Sequence, residues 1–121
     1  MREVTTHRCG AGMDEEVTIK VLDEPGPGGA CHLYAIQPGG LEQVDTFILF
    51  QKGPVAEVGP NGISCEALLA VVADRLQSFQ AGPYPCPENA QALENVKRAI
   101  GALHGRTIDR AKRTVEGTTN A

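Results

Sequence analysis

The chain has 121 residues, a net charge of −4 and no Trp, with aromatic residues at only 4%. That length fits one domain, or one small domain with an appendage, whose core must be filled by Val, Leu, Ile and Ala, and small cores of this kind often lean on oligomerisation. The acidic balance argues against a uniform nucleic-acid binder, which is basic overall, and no apolar run approaches the roughly 18 residues of a membrane span.

In chain order, residues 1–8 carry strand-type content and read as a short first strand or a loose arm, and Gly10 to Glu16 reads as a turn. Val17, Ile19 and Val21 alternate with Thr18 and Lys20, the period of a half-buried strand. Asp23 to Gly29 (DEPGPGG) is a loop of structure-breaking residues. A phosphate-cradling glycine loop would be followed by a lysine-serine pair and a helix. Neither follows, so the segment reads as a hairpin tip. Cys31 to Ile36 is the next strand, and Gln37 to Gly40 turns the chain. Thr46 to Gln51 (TFILFQ) is the most apolar and β-prone stretch and is predicted at the centre of the sheet. Lys52-Gly53-Pro54 breaks it, and Val55 to Val58 is expected to add a short edge strand before Gly59-Pro60-Asn61-Gly62. Short strands joined by turns argue for an antiparallel sheet rather than βαβ units.

The pattern then changes to helix. Ser64 is a candidate N-cap, Glu66 an acid in the first turn, and Leu68, Val72, Leu76 and Phe79 recur at helical spacing up to Gln80. Ala81-Gly82-Pro83 stops this helix. The connection Ala81 to Cys86 is short and stiffened by two prolines, so the next helix folds back as a hairpin. That second helix is predicted from Pro87 to Arg113. Pro87 suits a first turn, and Leu93, Val96, Ile100 and Leu103 form one stripe. The tail TVEGTTNA has few apolar residues and is expected to be partly ordered at best. The expected fold class is α+β: an N-terminal antiparallel β-sheet (residues 1–60) followed by a C-terminal two-helix hairpin with a short tail (residues 61–121).

Charge is unevenly spread. Residues 1–60 hold nine acids against four bases, whereas Lys97, Arg98, Arg106, Arg110, Lys112 and Arg113 crowd the end of the last predicted helix. Cations complement a helix C-terminus, and a basic cluster on an acidic body also suits a small anionic ligand. Cys9, Cys31, Cys65 and Cys86 lie far apart without a C-x-x-C pair. That spacing argues against zinc and, with no signal peptide visible, reads as reduced thiols in a cytosolic protein. His7, His32 and His104 have no suggestive local partner, so neither a nucleophile–base pair nor a metal centre is indicated, and no cofactor is expected.

The hairpin sequence NGISCEALLAVVADRLQSFQAGPYPCPENAQAL, followed by RTIDR and VEGT, resembles the helical-hairpin domain of phage proteins that sequester nucleotide immune signals. With a β-rich segment in front, the chain is most similar to Thoeris anti-defence sponges of the first type, which share that hairpin with the anti-CBASS sponges. The resemblance covers about half the chain. Pro87 stands where the family has a basic residue, Thr114 replaces a glycine before V-E-G-T, and Thr119 replaces a common histidine.

The resemblance implies a binding protein rather than an enzyme. Its expected ligands are cyclic ADP-ribose isomers, such as 1''-2' and 1''-3' glyco-cyclic ADP-ribose made by TIR enzymes, held intact in the cytoplasm of the infected bacterial host. It also implies a homodimer with the ligand at its interface. Some members assemble into homohexamers and hold cyclic trinucleotides at separate sites. Phe79, Asn89 and Arg106 match the family's ligand contacts.

Helix geometry constrains that assignment. Asn89 and Arg106 are seventeen positions apart on one predicted helix, about 25 Å at 1.5 Å per residue, too far for one small ligand. One pocket contains all three residues only if Arg106 comes from a second, antiparallel hairpin, and a C2 dimer then makes two such pockets. In that pocket Phe79 suits stacking on adenine, Asn89 a base edge or ribose hydroxyl beside the N–H groups of the helix start, and Arg106 a phosphate. Arg110, on the same face as Arg106, or Arg113 supplies a second cation. Each residue also has a simpler role: Phe79 as the last core residue of its helix, Asn89 as a solvated first-turn residue, and the arginines as complements to the helix dipole. A nucleic-acid-binding module using the basic helix, whose affinity would fall steeply with salt, and a structural phage protein that uses the hairpin only to oligomerise remain open alternatives at this level.

Overall fold

The computed structural model describes residues 2–40 and 44–116. The chain divides into two compact units, Met1–Ile63 and Ser64–Ala121. The fold is α+β, as expected from the sequence.

The first unit is a four-stranded antiparallel sheet of β1 (Arg2–Val4), β2 (Thr18–Val21), β3 (Leu33–Gln37) and β4 (Thr46–Leu49), paired in chain order. Arg2 lies opposite Val21, Val21 opposite Tyr34, and Tyr34 opposite Ile48. These residues share a face because paired positions point the same way. Phe50 continues that face, its ring edge-on to Tyr34 at 5.6 Å. Val21, Cys31, His32 and Ala35 are the buried residues of this unit among those described.

Two expectations need correction here. Thr46–Leu49 is an edge strand, not a central one, and Phe47 and Leu49 stay 62% and 48% exposed. A meander places its last strand at an edge whatever its composition. Apolarity reports a preference for burial, not the number of strand neighbours. Val55–Val58 forms one helical turn (α1) rather than a strand, with the Val58 N–H donating to the Pro54 carbonyl at 3.0 Å and the Gly59 N–H to the Val55 carbonyl at 2.9 Å. Gly53 and Gly59 flank it at φ 85° and 77°, a region that admits glycine readily. Of the two readings of residues 1–8, the short first strand is the one observed, and a turn closed by Arg8 N–H on the Thr5 carbonyl (3.0 Å) follows it.

The chain then returns beside β4. Ile63 makes a parallel bridge with Phe50, while the Gln51 amide and Asn61 carboxamide clamp the intervening loop through its backbone. Gly62 permits this approach: a Cβ there would come within 2.4 Å of the Phe50 backbone.

Asp23 anchors the long connection between β2 and β3. Its carboxylate accepts the backbone N–H groups of His32 (2.9 and 3.0 Å) and Leu33 (3.1 Å). Burial pushes the Asp23 carboxyl up, but the N–H donors of Leu33 and His32, with the nearby His32 ring, outweigh it and hold the carboxyl below its ordinary 3.8. A lowered carboxyl binds protons less readily in the folded state. Its stabilising contribution is therefore complete above pH 3.8 and lost as pH falls through the depressed value. Asp23→Asn is expected to destabilise the sheet unit at neutral pH and to flatten its acid limb below about pH 4, as followed by amide hydrogen exchange of β2 and β3.

The second unit is a helical hairpin of α2 (Cys65–Ala81) and α3 (Pro87–Glu116). Ser64 caps α2, its hydroxyl accepting the Ala67 N–H at 3.1 Å. The predicted stripe on α3 faces inward: Leu93 is buried, and Val96, Ile100 and Leu103 are half-buried. The last helix reaches Glu116, three residues past the expected Arg113, while Gly117 to Ala121 lie outside the described residues.

The periodic set Leu68, Val72, Leu76 and Phe79 on α2 divides between two sides of the helix. Glu66, Leu68, Leu69, Ala73, Leu76 and Gln80 are the less exposed positions, whereas Val72 and Phe79 are exposed. Apolar residues surround much of α2, so a 3.6-residue period fits two faces equally well. Val72, Arg75 and Phe79 recur at helical spacing on the exposed side, which Val71 adjoins.

Candidate functional site

The candidate site residues of the hairpin lie at its two ends. At the turn end, the Cys86 N–H donates to the Gln80 side-chain carbonyl at 3.0 Å, closing the five-residue connection. Cys86 then acts as the cap of α3, its carbonyl accepting the Ala90 N–H at 3.2 Å and its sulfur accepting the Asn89 N–H at 3.4 Å. Asn89 is half-buried on the inward side of α3. Its backbone N–H is therefore not one of the free donors expected from the sequence.

Phe79 lies one helical turn after Arg75, whose guanidinium carbon sits 4.9 Å from the ring centroid. This is a cation–π contact between neighbours on one helix face. Phe79 nonetheless stays 46% exposed. An aromatic with a cation over one face and solvent access elsewhere can take a flat, electron-rich ring. Arg75 was not singled out in the sequence, although an Arg four residues before an aromatic is the spacing that signals such a contact.

At the opposite end, Arg106 on α3 approaches Glu66 in the first turn of α2, with Nη2 4.0 Å from Oε1. The Arg106 side chain is half exposed, while that of Glu66 is only 13% exposed. Thr107 Oγ1 lies 3.3 Å from Glu66 Oε2 and 3.1 Å from the Leu103 carbonyl, with one hydroxyl proton to share between them. Arg110 and Arg113 lie further along α3 and are exposed.

Phe79 and Arg106 thus belong to opposite ends of one hairpin. Glu66, which adjoins Arg106, is thirteen residues before Phe79 on α2, about 20 Å along the axis. Because α3 runs unbroken from Pro87, Asn89 and Arg106 are also about 25 Å apart along it. One hairpin therefore does not bring the three residues to a common point. Among the described residues, no group of three or more His, Cys, Asp or Glu side chains is placed to hold a metal ion. No described helix is long and apolar enough to cross a membrane.

Comparison with known proteins gives a concordant result for this region. Residues 42–107 match the hairpin domain described as Acb2/Tad1. The chain is also 48% identical over 69 residues to Thoeris anti-defense 1 of Bacillus phage SBSphiJ7, covering 57% of this chain and 49% of that protein. It therefore spans about half the length of that curated relative.

Proposed function

The chain belongs to the Acb2/Tad1 hairpin-domain family, and from that membership we propose that it is an anti-defence sponge that binds a cyclic ADP-ribose isomer and withholds it from its receptor without breaking it. The observation that carries this reading is the division of the hairpin into unlike ends: an exposed aromatic and a carboxamide at the turn, and arginines at the far end of α3. A cyclised ADP-ribose asks for both, a stacking surface for adenine and cations for its diphosphate. Two hairpins related by a two-fold axis bring one end of each against the other end of its partner and make two equal pockets. The exposed face of α2, with Val71, Val72 and Phe79, is the surface offered for that pairing. Each pocket takes Phe79 and Asn89 from one subunit and Arg106, backed by Arg110 or Arg113, from the other. Binding, not chemistry, is the activity.

Calorimetric titration with 1''-2' and 1''-3' glyco-cyclic ADP-ribose and with ordinary cyclic ADP-ribose is the direct test. The expected result is one ligand per subunit. Heating the complex is then expected to release the ligand unchanged, as chromatography of the supernatant reads. A converted product makes the chain an enzyme and overturns the reading. No binding to any isomer also overturns it and directs the titration to cyclic trinucleotides and then to nucleic acid.

A further inference from the structure

Resting on the reading of Arg106 as a ligand contact, we infer that Glu66 is a positioning residue for the pocket: it holds the Arg106 guanidinium ready for a phosphate without touching the ligand. Glu66 lies in the first turn of α2, where any acid is favoured by the helix dipole. An acid serving only the dipole would stay in water. Instead the Glu66 side chain is 13% exposed, and Oε1 is screened from solvent with no hydrogen-bond partner among the described residues. A carboxylate removed from water needs a compensating charge. Arg106 stands 4.0 Å from that same oxygen and supplies it, while Oε2 faces the Thr107 hydroxyl.

The consequence for binding follows from the shape of the guanidinium. It has five N–H donors in a planar fork, so one side can lean on Glu66 while the other presents two parallel donors to a phosphate. Half of the Arg106 side chain remains exposed for that purpose. A long, free arginine loses rotamer freedom when it grips a ligand. One already leaning on a fixed carboxylate loses less, and the saving appears as affinity. Glu66 and Arg106 belong to different helices of one hairpin, so the α2–α3 packing sets the direction of the guanidinium.

The test is a double-mutant cycle on the full chain with 1''-3' glyco-cyclic ADP-ribose as the titrant. Glu66→Gln keeps an oxygen for Thr107 but loses the charge facing Arg106. In the otherwise unchanged protein it is expected to weaken binding about three- to tenfold with the melting temperature unchanged. In an Arg106→Lys background, where no planar fork remains to be oriented, the same substitution is expected to have no effect. Thr107→Val, which removes the hydroxyl contact and leaves the ion pair, is expected to bind as the unchanged protein does. Equal losses in both backgrounds, equal losses from Thr107→Val and Glu66→Gln, or tighter binding by Glu66→Gln would overturn the role. Arg106→Ala without loss of affinity would remove the reading of Arg106, and Glu66's role with it. Loss on Arg106→Ala alongside a neutral Glu66→Gln would leave that reading standing and sink only this one.

Discussion

Arg106→Ala is expected to weaken binding of a cyclic ADP-ribose isomer by about 30-fold or more while leaving the hairpin folded. Charge-assisted, bidentate contacts are the strong class of hydrogen bond, and removing one partner of such a pair typically costs about 2–5 kcal/mol. Arg106 is half exposed, but it is the charge that faces the largely buried Glu66 carboxylate at 4.0 Å. Arg106→Ala is therefore also expected to lower the melting temperature, and affinity is compared at a temperature where the variant is folded. Arg106→Lys is expected to recover only part of the loss, because an ammonium is a point charge without the planar fork. Titration calorimetry reads the affinity, and circular dichroism at the same temperature reads the fold. A near-neutral Arg106→Ala would move the phosphate contact elsewhere on α3, with Arg110 the first residue to try.

Leu93→Ala is expected to have the largest effect on stability, about 2–5 kcal/mol. Leu93 is the one buried residue of the hairpin among those described, at 8% exposure, and it opens the α3 stripe. A two-helix hairpin has little other core to redistribute the cavity into. For a unit this small the loss corresponds to a fall in melting temperature of upwards of about 10 °C. Val72→Ala serves as the control, since Val72 is 40% exposed on the other face of α2. It is expected to change subunit stability by less than about 1 kcal/mol. Its cost should appear in assembly, as a concentration-dependent shift in sedimentation. A Val72→Ala protein that melts as early as Leu93→Ala would mean that α2 packs through the face assigned here to solvent.

The two helices differ in how much their sequences disclose, and the reason is compositional. On α3 the apolar residues occupy one stripe among charges, so only one rotation buries them, and that rotation is the one observed. On α2 the run ALLAVVADRL offers two apolar faces. The period grouped Val72 and Phe79 with Leu68 and Leu76, whereas the less exposed side runs through Leu68, Leu69, Ala73 and Leu76. The exposed Phe79 is the useful consequence, because an aromatic buried against α3 could stack on nothing else. The identities of Phe79, Asn89 and Arg106 as candidate contacts came from the resemblance to a family, not from spacing. What spacing contributed was the distance that separates them on one chain.

By itself, the sequence determined what depends on neighbours along the chain: strands from two-residue alternation, helices from their caps and stripes, and an α+β order from the change between them. Ser64, Pro87 and the Leu93 stripe act locally, so they were legible. The tertiary structure alone decided what depends on partner choice. It put the most apolar strand at a sheet edge, made a helical turn of Val55–Val58, and spent the Asn89 N–H on Cys86. It also paired Glu66 with an arginine forty residues away. Local pattern reports how strongly a residue seeks burial or a hydrogen bond, but which distant group satisfies it is set by how the elements pack.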